Sequence, residues 1–218
     1  MIRVALLVAG KDLRIELRSR IVLWQVVPFS VMALVLCGLA IGPNSSRDRQ
    51  LAPGLFYVVL TLAALLIINR STAIESGRGT QNSLRTLGLD PAGLFLGKAT
   101  ALFFELVITA VVLLSGTVLL LHVRWHDALL TAPMTLLACA ALATAGVLYG
   151  VVASSSSSAA TLLPVLALPA FAPILIAGER AFSSLVQPAP LARWVGLLVF
   201  VVVAYTGTGI LLYGAVEE

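Results

Sequence analysis

Six stretches of the chain are apolar almost without interruption, and shorter polar segments separate them. They fall at residues 21–42, 51–69, 99–121, 128–152, 159–178 and 195–214. A helix needs about 20 mostly apolar residues to cross the hydrocarbon of a bilayer, so the pattern predicts six transmembrane helices. The runs are continuous rather than alternating, which argues against a β-barrel. The longest intervening segment, 70–98, spans 29 residues with apolar positions scattered through it. It is too short to fold as a soluble core, so residues 1–218 are expected to form a single all-α membrane domain.

Ahead of the first run, Leu6, Leu13, Leu17 and Ile21 recur at helical spacing. Lys11, Arg14 and Arg18 form a neighbouring basic stripe, and Asp12 and Glu16 lie to the other side. This pattern over 1–20 predicts an interfacial helix that rests in the headgroup layer with its basic residues near anionic lipid. Arg3 and Lys11 before an apolar run faintly resemble a signal peptide, but the run is too long for a signal core, and a retained first span is expected.

Composition sharpens the class. Sixty per cent of residues are hydrophobic and 11% charged, against about 45–50% and about 25% in soluble proteins. Mean hydropathy is +1.04. Such a chain lacks the solvated surface of a soluble enzyme and the polarity of a disordered protein. A pI near 9.5 with a net charge of only +4 fits basic residues beside membrane spans better than a nucleic-acid binder, and no nucleic-acid partner is expected. Of the 14 Lys and Arg residues, Arg3, Lys11, Arg14, Arg18, Arg20, Arg70, Arg78, Arg85 and Lys98 lie on the side of the N-terminus. Arg47, Arg49, Arg124, Arg180 and Arg193 lie on the other. This asymmetry predicts both termini in the cytoplasm. Cys37 and Cys139 sit inside apolar runs and read as small apolar filler.

Candidate chemistry is sparse. In the 70–98 segment, Glu75, Arg78 and Arg85 sit among Gly77, Gly79 and Gly88, and Asp90-Pro91 gives a turn. A short helix from about 74 to 87 is predicted, too polar to span, and reads either as a solvated connector or as a docking helix for a cytoplasmic partner. Glu105 lies inside the third span. An ionised carboxylate there must face other helices or water, or be protonated, which leaves an interhelical hydrogen bond, a proton relay or a substrate contact open. His122 and His126 would share one side if helical, and imidazole ligates heme iron and many metals; exposed loop residues beside an interfacial Trp125 are the plainer reading. Gly146 and Gly150 form a GxxxG pair suited to close helix contact. Pro164, Pro169 and Pro173 predict a broken fifth span, followed over 179–193 by a short interfacial or re-entrant piece. Residues 154–158 are five serines that join two spans.

Catalytic and metal-binding motifs are absent. GLFLGKAT at 93–100 falls short of a phosphate-binding loop, with three residues instead of four between its glycines. There is no HExxH, CxxC or CxxCH. No catalytic residue and no metal ligand set is expected, and energy for any active work must come from another chain.

In the order they occur, these features resemble the CcmB-type permeases, the heme-exporter membrane subunits of the ABC system for cytochrome c maturation. The resemblance is carried by LAPGLFYVVLTLAALLIINRSTAIESGRGTQNSLRTLGLDPAGLFLGKAT at 51–100 and by TLLPVLALPAFAPILIAGE at 161–179. It implies an ABC type-2-exporter-like permease with a cytoplasmic coupling helix between spans two and three. It implies a separate cytoplasmic ABC ATPase docked through Glu75, Arg78 and Arg85, and a heme-handling membrane subunit in the same complex. Heme is then a transported or handled ligand rather than a stable cofactor, ATP enters only through the ATPase, and the setting is a bacterial inner membrane. Under that reading Glu105 is a candidate intramembrane polar site, and His122 and His126 a candidate heme contact. The stretch Arg85-Thr86-Leu87-Gly88 departs from the apolar, proline-bearing pattern expected there, so the docking surface differs in detail. An ABC exporter permease for a drug, lipid or glycan precursor fits the span count and inner loop equally. A membrane enzyme or scaffold working alone would have only Glu105, His122 and His126 as a polar centre, and their different depths argue against one site.

Overall fold

A computed structural model describes residues 1–20, 22–41, 45–77, 90–154, 159–186 and 191–215. Seven α-helices account for nearly all of them: α1 (Ile2–Ser19), α2 (Val27–Ile41), α3 (Ser45–Gly77), α4 (Pro91–Leu120), α5 (Trp125–Ser154), α6 (Ala159–Val186) and α7 (Leu191–Ala215). A π-helical turn, Val22–Val26, precedes α2. No strand occurs among the described residues. Six segments are long and apolar enough to cross a membrane: Val22–Ile41, Asp48–Thr72, Pro91–Leu120, Trp125–Ala153, Thr161–Ser184 and Leu191–Tyr213. The protein is therefore an all-α, multi-pass membrane protein.

Spans two and four are the most enclosed, each about 67% buried, whereas spans one and six are only 22% and 17% buried. The bundle is thus built around α3 and α5, and α2 and α7 present most of their apolar surface outward. In lipid, tails are as apolar as leucine, so helix association depends on close packing at small residues. Gly146 and Gly150 of α5 face Ile68 and Thr72 of α3. A β-carbon on Gly146 would overlap the Ile68 side chain, and one on Gly150 would lie 2.9 Å from Thr72 Cγ2. The GxxxG pair therefore closes the central contact within the chain. Gly178 of α6 receives the Tyr57 ring of α3 in the same manner. Tyr57 in turn packs edge-on against Phe56, and Phe56 against Phe182.

The structure differs from the sequence pattern in three places. The third span's helix starts at Pro91, eight residues ahead of position 99, because Asp90 and Pro91 form its N-terminal boundary and proline suits the first helical turn. The fifth span is not broken: α6 runs unbroken through Pro164, Pro169 and Pro173. Pro173 cannot donate a backbone hydrogen bond to the preceding turn, and in that turn the Tyr205 hydroxyl of α7 donates to the Ala170 carbonyl at 3.3 Å. The carbonyl that Pro173 leaves without a donor is that of Pro169, so the Tyr205 contact lies one residue beyond the gap and ties α6 to α7 there. Residues 179–186, expected as part of an interfacial piece, instead prolong α6.

Candidate functional site

One polar cluster of the described residues lies at the end of the bundle that carries α1. That helix has three sectors. Val4, Ala5, Val8, Ala9, Asp12 and Glu16 are turned toward the bundle and are buried or half-buried, whereas Leu6 and Leu17 are 67% and 71% exposed. Arg3, Lys11, Arg14 and Arg18 are exposed on the remaining side. Of the leucine stripe seen in the sequence, Leu6 and Leu17 are thus left exposed and Leu13 is half-buried, while a second stripe of small residues makes the protein contact.

The seat for that stripe is Gly93 and Gly97 of α4. A β-carbon on Gly93 would lie 2.9 Å from Val4 Cβ and 3.0 Å from the Met1 carbonyl oxygen. One on Gly97 would lie 2.7 Å from Val8 Cβ and 2.8 Å from the Ala5 carbonyl oxygen. The three-residue gap that disqualifies GLFLGKAT as a phosphate loop puts both glycines on one face of a helix. The amino group of Met1 also lies 2.8 Å from Asp90 Oδ2 at the start of α4.

Glu16 organises the junction. Its Oε1 accepts the Val22 N–H at 2.6 Å, and its Oε2 accepts from Arg70 Nη1 at 3.1 Å. Ser19 Oγ donates to the Glu16 carbonyl at 3.2 Å and lies 3.4 Å from Arg70 Nη2. The Glu16 and Arg70 side chains are 16% and 21% exposed, so screening by salt is weaker than at an open surface. One carboxylate thus joins α1, the first turn of span one and the far end of span two. At the end of α1, Arg20 adopts the left-handed conformation, with φ 51°.

Glu105, on α4, is half-buried and lies within electrostatic range of Glu16, Arg70 and Asp12. Of these acids Glu16 pairs with Arg70, whereas Asp12 pairs with Lys11 at 3.0 Å. Glu75 lies in the last turn of α3, five residues beyond Arg70 on the same unbroken helix. Arg78 and Arg85, and with them most of the expected coupling helix at 74–87, lie outside the described residues.

His122 and His126 are at the opposite end and do not share a helical face. His122 has φ 55° and precedes α5, which begins at Trp125. His122 Nδ1 lies 3.9 Å from Asp48 Oδ2, whereas His126 Nδ1 lies 3.7 Å from Asp127 Oδ1. Asp127 also holds Arg124, with contacts of 2.8 and 3.2 Å. An apolar groove of about 310 Å³ between α4 and α5 has Trp125, Val111, Leu129 and Leu136 in its wall and no imidazole. Among the described residues, no group of three or more His, Cys, Asp or Glu side chains is placed to hold a metal ion.

The residues that the sequence pattern missed are Glu16, Arg70, Gly93 and Gly97. In the sequence Glu16 stands apart from the basic stripe, and the spacing of Gly93 and Gly97 has no local signature of a helix seat. Nothing in a linear pattern pairs residue 16 with residue 70.

The family model described as CcmB protein matches residues 3–211. The chain is 26% identical over 192 residues to heme exporter protein B of Rhodobacter capsulatus, covering 86% of this chain and 88% of that protein. It is 30% identical over 173 residues to heme exporter protein B of Paracoccus denitrificans, covering 78% of each.

Proposed function

The chain belongs to the CcmB family, and from that premise we propose that it is the heme-export permease subunit of an ABC-type system. The observation that carries this reading is the extent of the match, which takes in all six spans and the interfacial helix rather than one motif. The chain is a non-catalytic membrane subunit, and a separate cytoplasmic ATPase drives it. That ATPase docks on the end of α3 and the segment after it, through Glu75, Arg78 and Arg85. A heme-handling membrane subunit completes the complex, and heme is its cargo. The complex sits in a bacterial inner membrane with both termini of this chain cytoplasmic, as the Lys and Arg distribution favours. Glu105 serves as an intramembrane polar site that belongs to the Glu16–Arg70 junction.

Affinity purification in mild detergent, followed by mass spectrometry and a heme absorbance scan, tests this reading. Recovery of an ABC ATPase and a heme-bearing membrane partner is the expected result. An ATPase without heme or such a partner would move the assignment to an exporter of another substrate, and recovery of the chain alone would overturn it. The docking assignment has its own test. Glu75→Lys combined with Arg78→Glu should abolish co-purification of the ATPase while membrane insertion stays intact, because reversing two charges turns complementary contacts into repulsive ones. Unchanged co-purification would refute docking at this segment.

A further inference from the structure

We propose that Arg70 and Glu16 form the strap that carries movement from the ATPase-docking segment to the interfacial helix and the first span. The inference rests on the permease reading above and concerns residues outside the docking surface itself.

Two features of the chain frame the strap. Arg70 and Glu75 share one unbroken helix, α3, and five residues of α-helix span about 7.5 Å. A displacement of the Glu75 end of α3 is therefore passed along the helix to Arg70. On the other side, α1 and span one are joined by a left-handed residue, Arg20, and a π-helical turn, Val22–Val26. A π-turn of this kind marks a place where helical continuity is interrupted, often at a functional position. The backbone alone does not hold α1 at a fixed angle to span one.

Glu16 supplies what the backbone lacks. One oxygen takes the Val22 N–H at 2.6 Å and the other takes Arg70 Nη1 at 3.1 Å. When α3 moves, Arg70 draws Glu16 with it, and Glu16 draws both α1 and the first turn of span one. Because α1 is seated on Gly93 and Gly97 of α4, the third span is joined to the same movement. Loss of Arg70 would leave the half-buried Glu16 carboxylate without its cation. Arg70 and Glu16 are thus positioning residues for transport and need not touch heme.

The test uses the complex purified with its ATPase and membrane partner, in three variants of the full chain. Glu16→Gln keeps an acceptor for Val22 N–H and removes the charge. Arg70→Gln breaks the pair, and Arg70→Lys keeps a cation. The readouts are ATPase co-purification, ATP hydrolysis, and heme delivered to the acceptor per ATP hydrolysed. We expect both Gln variants to retain the ATPase and its hydrolysis, and to deliver about tenfold less heme per ATP. Arg70→Lys should recover most of the loss. An unchanged delivery ratio in Arg70→Gln would overturn the proposal. So would a fall in co-purification that accounts for all the lost delivery, since that marks a merely structural pair. Failure of the unaltered chain to bring down an ATPase would instead overturn the permease reading, and the strap with it.

Discussion

Gly146→Leu should prevent the second and fourth spans from closing and so remove most of the folded protein. A single β-carbon at Gly146 already overlaps Ile68, and Ile68 is itself 1% exposed. Leucine adds three more carbons at the same point. Over-packing a filled core costs about 1–3 kcal/mol per site and occasionally more. Here the contact is the central one of the bundle, and spans two and four are its most buried members. The expected penalty is on the order of 4 kcal/mol, at the upper end of what a single substitution produces. Size-exclusion profile and thermal midpoint in mild detergent measure it: the variant should lose its monodisperse peak or melt well below the parent. Adding Ile68→Ala should recover part of the loss, because the two side chains compete for one volume. A monodisperse Gly146→Leu protein with the parental midpoint would show that α3 and α5 do not meet as described.

The second large effect is expected at Gly97. There the obstacle to a side chain is backbone, the Ala5 carbonyl oxygen at 2.8 Å, together with Val8 Cβ at 2.7 Å. Backbone cannot rotate aside as an isoleucine tip can, so even Gly97→Ala must shift α1 bodily by a few tenths of an ångström. Gly97→Leu should lift α1 from its seat altogether. The six spans should still form, since α1 contributes only Val8 and Ala9 to the buried apolar residues. Lys11 and Arg14 would then become readily cleaved by trypsin, and amide protection across α1 should fall to that of a helix held by lipid alone. Trypsin resistance equal to the parent would refute the glycine seat. Comparing Gly97→Leu with Gly146→Leu separates loss of the interfacial helix from loss of the bundle.

Much of the fold is legible without coordinates. Six continuous apolar runs of about 20 residues admit few arrangements other than six spanning helices, because hydrocarbon tolerates no unpaired backbone. The same rule explains why three prolines in α6 were misleading. Proline weakens a helix in water, but within a membrane bundle the surrounding spans hold the segment helical and supply the Tyr205 contact to Ala170. Boundaries were less legible than existence, since Pro91 to Lys98 mixes apolar residues and glycines with one charge and carries no sharp edge in hydropathy.

The polar residues divide along the same line. Glu105 stood out from the sequence because a carboxylate inside an apolar run is costly wherever it points. Its surroundings did not, because Asp12, Glu16 and Arg70 come from two other helices. The histidines show the reverse case: an i, i+4 spacing implies a shared face only if the segment is helical, and α5 begins three residues after His122.

Sequence by itself determined the class of protein, the number of spans and the amphipathic first helix, since each depends on composition or on local periodicity. Tertiary structure alone decided that α1 is clasped by Gly93 and Gly97, that Gly146 closes the centre of the bundle, and that Glu16 and Arg70 meet across 54 positions of chain. The physical reason is one of range. Transfer into a bilayer acts on each segment separately and is written in its own residues, whereas close packing and ion pairing depend on which faces the helices turn toward one another.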